Sequence, residues 1–284
     1  MNPRLNRLFA PDGRCVILAF DHGLFGEPSW LTGVANIPDV LSTHVAEKPD
    51  GMTLTTGSAR ILQAMRVDRK PSLILRADVT NSYLGERPAQ LYAARLAEAV
   101  DRASALDAVC VVAALLTFPD QPSLRSDCLR SVDELRARCD QVGMPLLVET
   151  LAMTLNDGVP KVSTDVPTIA TLVRQAFEAG ADVVKADPPE PAEEFAMLLD
   201  AAGGLPVLAS GGIPTTDEKV VRRTAAVMAA GASGIAYGRN VLWAADPALM
   251  TRTLISIVHG GVCAENAVAA LSDPAASPAI AVYG

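Results

Sequence analysis

Histidine is scarce in this chain of 284 residues, with only three present, and the five cysteines, Cys15, Cys110, Cys128, Cys139 and Cys263, show no Cys-x-x-Cys spacing. Zinc sites need imidazole or thiolate ligands at short fixed spacings, so that pattern cannot be assembled, and no metal or other cofactor is expected. The thiols read as reduced and structural. No apolar run approaches the roughly 20 residues that span a bilayer, and the start, Met1 to Arg7, lacks the apolar core of a secretion signal. A cytoplasmic protein without a membrane partner is expected. Basic blocks are missing too: 24 Lys and Arg face 32 Asp and Glu, a formal net charge of −8. Phosphate neutralisation needs a basic surface, so a general nucleic-acid partner is excluded, while a local anion site is not.

What the chain does have is apolar material, 50% of its residues against 20% charged, enough for one large domain with a substantial core. Eight short β-rich runs stand out: Cys15–Asp21, Gly51–Thr55, Ser72–Ala77, Ala108–Ala113, Pro145–Thr150, Asp182–Lys185, Pro206–Ser210 and Ser233–Tyr237. Each is nearly continuously apolar, as strands covered on both faces of a parallel sheet must be. Amphipathic stretches lie between them. One is Pro88–Arg102, whose apolar residues recur three to four apart and predict a helix. Thr216-Asp-Glu-Lys opens another helix, and the glycines of Ala179-Gly180 and Ala230-Gly231 close two more.

Eight βα units over about 250 residues are the content of a (β/α)8 TIM barrel. The rival, a doubly wound open sheet, is disfavoured because no Gly-x-Gly-x-x-Gly follows the first strand. The expected layout is a single barrel domain over residues 1–284, with a short N-terminal segment at Leu5–Pro11, a helix at Val262–Leu271 and a Pro/Ala-rich tail.

In such a barrel the chemistry sits where the strands end. Strand one ends in Asp21-His22-Gly23, strand two in Thr55-Thr56-Gly57, strand three in Arg76 and Asp78, strand five in Glu149-Thr150, and strand six in Lys185 and Asp187. Lys185 follows two apolar residues in a buried strand. A desolvated amine can lose its proton near neutral pH and attack a carbonyl to form a Schiff base. Asp78 and Asp187 read equally well as helix caps or ion-pair partners. His22 and Arg76 join the candidate substrate contacts. Strand seven runs into Ser210-Gly211-Gly212 and strand eight into Gly238-Arg239-Asn240. Glycines there let backbone N–H groups approach an anion, and Arg239 can clamp two phosphate oxygens, so a phosphate on the ligand is expected.

Four segments carry a resemblance: Phe20-Asp-His-Gly23, Gly180-Ala-Asp-Val-Val-Lys185, Ala209-Ser-Gly-Gly212 and Gly231 to Asn240. They resemble the class I aldolases of bacterial and archaeal type, the DeoC/LacD superfamily, from about Arg14 to about Leu271. That family groups fructose-bisphosphate and tagatose-bisphosphate aldolases with autoinducer-2 phosphate thiolases and an aminodeoxyheptulosonate synthase. The resemblance implies Lys185 as the Schiff-base lysine, Asp21 as a polar active-site partner, and Ser210, Gly211, Gly212, Gly238 and Arg239 around a substrate phosphate. It also implies a homo-oligomer, since family members commonly form large rings, often decamers; Trp243 or the C-terminal helix is a candidate interface element.

One departure matters. Archaeal fructose-bisphosphate members carry a tryptophan and a tyrosine at the end of strand five, whereas this chain has Glu149 and Leu151 there. Leucine cannot move a proton. The segment looks more like the tagatose-bisphosphate branch, which makes Glu149 the acid/base candidate; the alternative is a carboxylate that merely pairs with Lys185 or another cation. The expected reaction is aldol cleavage or formation in a phosphorylated ketose, releasing a ketone such as dihydroxyacetone phosphate. Two alternatives stay open: a thiolase- or transaldolase-like transferase using the same lysine, and a non-catalytic sugar-phosphate-binding barrel.

Overall fold

A computed structural model describes residues 2–83, 89–156 and 159–272. All eight apolar runs form parallel strands: β1 Cys15–Ala19, β2 Gly51–Leu54, β3 Ser72–Arg76, β4 Cys110–Thr117, β5 Leu146–Asn156, β6 Val183–Ala186, β7 Val207–Ser210 and β8 Gly234–Tyr237. Each strand pairs with the next, and the ring closes where β8 pairs with β1 in the register Cys15↔Gly234. A closed parallel barrel with helices outside it is a TIM barrel. Strands β4 and β5 run past the sequence-predicted ends, because their pairing continues to Thr117↔Ala152 and β5 then folds back antiparallel on Val159–Val162.

Two layers of core follow from the two-residue alternation of a strand. One alternation points outward: Val16, Leu18, Leu75, Val148 and Val184 pack under the helices. The other points into the barrel, where Ile17, Ile74, Leu147, Val183 and Leu208 join Leu5, Leu8 and Phe9 of the N-terminal segment. The segment, a 3-10 turn at Pro3–Arg7, therefore plugs the lower mouth. Stepping two residues up the inward alternation from Ile74, Leu147, Val183 and Leu208 reaches Arg76, Glu149, Lys185 and Ser210. The polar groups thus form the rung above an apolar floor.

The helical expectation for Pro88–Arg102 is corrected. Among the described residues of that stretch, Ala93–Arg95 is a strand paired antiparallel with Asp78–Thr80, and helix begins only at Ala99 (α1 Ile37–Ala46 and α2 Thr56–Ala64 precede it; α3 is Ala99–Ala105). The hairpin buries Leu91 and Ala93 and exposes Tyr92 and Ala94, a period of two that pairing with Asp78–Thr80 imposes over the helical spacing. The remaining helices are α4 Pro122–Val142, α5 Val166–Glu178, α6 Ala196–Ala201, α7 Asp217–Ala229, α8 Arg239–Leu242, α9 Pro247–Val258 and α10 Ala264–Ser272. Thr216 caps α7 by accepting the Lys219 N–H, and Gly180 and Gly231 take φ of 86° and 99° just past α5 and α7. The Pro/Ala-rich tail beyond Ser272 lies outside the described residues. No described helix is long and apolar enough to cross a membrane.

Candidate active site

The upper mouth of the barrel holds a cavity of about 160 Å³. Its walls include Asp21, His22, Arg76, Glu149 and Lys185 from the first six strands, and Ser210, Gly211, Gly212, Gly238 and Arg239 from the last two. These ten candidates therefore face one space, whereas Asp78 lies behind Arg76 and does not line it. The strand-two residues Thr55 and Thr56 do not line it either; they lie at the start of α2.

Arg76 is the hub. Its Nε donates to Asp21 Oδ2 at 2.7 Å, Nη1 to Asp78 Oδ1 at 3.2 Å and Nη2 to Glu149 Oε2 at 2.5 Å, and the side chain is only 4% exposed. The planar fork of the guanidinium makes this three-way grip possible. All three nitrogens are thus engaged by the protein's own carboxylates. Asp78, behind Arg76, also accepts the Ala114 N–H at 2.7 Å; burial is the main cause that raises its pKa above the ordinary value, with Arg76 opposing.

Glu149 and Lys185 are register partners on adjacent strands, so their side chains meet directly, and the Lys185 ammonium donates to Glu149 Oε1. The lysine is therefore ion-paired rather than alone in an apolar setting. Burial opposes ionisation of Glu149, but the Lys185 and Arg76 cations outweigh it and hold the carboxyl well below its usual range. His22 is buried, and its Nδ1 has no hydrogen-bond partner among the described residues. Burial, helped by Arg239 and Lys185 against Asp21, lowers its pKa to about 4, so the imidazole is neutral at pH 7.

Loops seven and eight are stitched together by Asn240, whose Nδ2 donates to Gly211 O at 2.6 Å while its Oδ1 accepts the Thr215 N–H at 3.1 Å. Arg223 of α7 donates to the same Gly211 carbonyl. Gly238 has to lack a side chain: a Cβ there would stand 2.5 Å from His22 Cε1 and 2.8 Å from Ala19 O. The Arg239 guanidinium lies 4.2 Å above the Trp30 ring and 5.9 Å from that of Trp243.

Sequence reasoning missed the aromatic wall. Phe25, Trp30 and Tyr83 line the cavity and contact one another at 5.0 to 6.1 Å between ring centroids. They come from the loops after β1 and β3, where no period marks a residue as facing a site. Asp187, named at the end of strand six but left open between a site role and a cap or ion-pair partner, belongs to the site as well. It is buried, accepts a hydrogen bond from Ser210 Oγ and lines the same cavity. Its place two residues after Lys185 on the inward alternation was a usable signal.

The family model for DeoC/LacD family aldolases matches residues 15–244. The chain is 28% identical to an uncharacterized aldolase of Saccharolobus solfataricus, over 90% of this chain and 93% of that protein. It is 29% identical to the 3-hydroxy-5-phosphonooxypentane-2,4-dione thiolase of Escherichia coli K12, over 94% of this chain and 85% of the thiolase. Among solved structures, an archaeal fructose-1,6-bisphosphate aldolase with its catalytic Lys covalently bound to the carbinolamine intermediate superposes with a TM-score of 0.74 at 26% identity, covering 90% of this chain and 98% of that one.

Proposed function

The chain belongs to the DeoC/LacD family of aldolases, and on that premise we propose that it is a class I enzyme in which Lys185 forms a Schiff base with the ketone of a phosphorylated ketose. The observation that carries this reading is the Lys185–Glu149 pair on the inward rung of β5 and β6, at the bottom of the cavity. Attack on the carbonyl needs a neutral amine, and Glu149 is the base in contact to receive the proton. Once the nitrogen has added to carbon and lost its charge, Glu149 keeps only Arg76 as a cationic neighbour. It becomes a better proton carrier at the stage where the carbinolamine hydroxyl must leave as water. The resulting iminium is the electron sink. Removal of the proton from the hydroxyl beyond the scissile bond breaks C–C, releases an aldehyde and leaves an enamine; protonation and hydrolysis then free the ketone, dihydroxyacetone phosphate in the simplest case.

Arg76 acts here as a positioning residue, since each of its nitrogens already holds a carboxylate, Asp21, Asp78 or Glu149, and those three negative charges offset its own towards a phosphate. The phosphate falls to Arg239 and the Ser210–Gly212 loop. Borohydride reduction in the presence of phosphorylated ketoses, read by peptide mass, tests the reading: an adduct on Lys185 is expected. An adduct elsewhere, or none with any ketose, refutes it and leaves the non-catalytic barrel.

A Schiff-base transferase is the second reading. It is favoured by a second cavity of about 660 Å³ that shares Val162, Asp187, Gly212 and Ile213 with the first; the absence of a phenol at Leu151 chooses neither branch. Such a space fits an acceptor substrate. The two separate on one assay: a lyase makes triose phosphate from a ketose bisphosphate alone, whereas a transferase traps on Lys185 yet releases none until an acceptor is added.

A further inference from the structure

The Gly212 N–H and the Ser210 hydroxyl of loop seven are already in use. The Gly212 N–H donates to Ser210 Oγ at 3.2 Å, and the single Ser210 hydroxyl proton is directed at Asp187 Oδ1. The neighbouring Arg223 and Asn240 side chains donate to the Gly211 carbonyl. An arriving anion therefore meets a carboxylate where donors are wanted. Asp187 is itself shielded, being 7% exposed, so water cannot screen it from a second negative charge.

We propose that Asp187 is a specificity-determining residue that occupies the anion position between β6 and β7, so that a phosphate or sulfate group binds there only as Asp187 takes up one proton. The inference rests on the reading of Ser210–Gly212 and Arg239 as the place of the substrate's anionic group. Protonation removes the repulsion and frees the Ser210 hydroxyl to donate to the ligand. The Ser210 O–H then becomes a donor to the ligand with Arg239 beside it, while the Gly212 N–H stays on Ser210 Oγ. A substrate whose end is a plain hydroxyl needs no proton and binds the carboxylate form directly.

The charged groups facing Asp187 come from four elements: Glu149 of β5, Lys185 of β6, Arg223 of α7 and Arg239 at the start of α8. Burial raises the Asp187 pKa most, Glu149 adds to it, and Lys185, Arg223 and Arg239 oppose; the result is about 6. The carboxylate is thus the resting form at neutral pH, with the acid close at hand.

Calorimetric titration with inorganic sulfate, whose own charge is constant across the range, tests this without the complication of a phosphate ester's second ionisation near about pH 6. Single-proton linkage predicts a Kd that rises about 50-fold from about pH 6 to about pH 8. Titration at about pH 8 in buffers of different ionisation enthalpy should show close to one proton taken up per sulfate bound. Asp187→Asn, which keeps the shape and an acceptor for Ser210, should bind sulfate tightly at both pH values with no proton uptake. A flat profile in the wild type, or the same slope in Asp187→Asn, overturns the proposal, and the proton count decides the matter even if the variant does not fold. Failure here with Lys185 still trapped by borohydride refutes the role of Asp187 alone; loss of trapping refutes the enzymatic reading instead.

Discussion

Replacing Arg76 by leucine removes the one cation that joins the buried Asp21 and Asp78 and the part-buried Glu149. Asp21 and Asp78 are 3% and 1% exposed, and Glu149 would keep only Lys185. Removing one partner of a buried ionic cluster costs about 3–5 kcal/mol, because the charges left behind stay desolvated and now repel. For a chain of this length that is roughly 5–8 °C in Tm. The loss has a signature in pH. The orphaned carboxyls would have folded-state pKa values above their unfolded ones, so the native state binds more protons and regains stability as pH falls through those raised values. Urea denaturation of wild type and Arg76→Leu at about pH 7.5 and about pH 5 should show a deficit that shrinks in acid. A melting point within about 2 °C of wild type, or a deficit that grows in acid, refutes the clustering argument. Arg76→Lys is the milder probe: it restores one charge but not the fork, and should fall between the two.

Other consequences are equally direct. Glu149→Gln keeps volume but removes the proton carrier, so turnover should fall about 10²–10⁴-fold while slow borohydride adducts on Lys185 persist; turnover within about threefold of wild type excludes Glu149 as acid/base. His44 is buried, with Nδ1 2.9 Å from Thr251 Oγ1, and burial lowers its pKa from 6.5 to about 4. The unfolded chain therefore binds the proton first, and stability present above pH 6.5 is lost as pH falls towards 4, by about 3 kcal/mol. His44→Asn should flatten that part of the urea-midpoint profile; an unchanged acid slope would rule His44 out as its source. Gly238→Ala places a methyl against His22 and the Ala19 carbonyl, which should cost about 1–3 kcal/mol. It should also raise KM for a phosphorylated substrate more than it lowers kcat, and an unaltered KM would show that loop eight does not touch the ligand.

The barrel was legible because its strands are buried on both faces and so read as continuous apolar runs, each of which formed a strand at its expected place. Lys185 and Glu149 were legible for a related reason: a strand's two-residue period puts them on the same alternation as Val183 and Leu147, hence inside. The Pro88–Arg102 stretch failed because apolar spacing there fits a helix, while the energetic choice was made by distant partners, the Asp78–Thr80 strand and the barrel mouth beneath it.

The residues themselves fixed which groups point inward, since period and burial are local properties written into the order of the chain. Which of them touch is a different matter. Arg76 lies 55 residues from Asp21 and 73 from Glu149, and Ser210 lies 23 from Asp187. Those contacts exist only because the ring closes and sets neighbouring strands in one register. The same closure brings Trp30 and Tyr83, which no periodicity marks, over the cavity beside Arg239 and Phe25. Tertiary structure thus turned an isolated lysine into one member of a charge network, and the network decides where its proton can go.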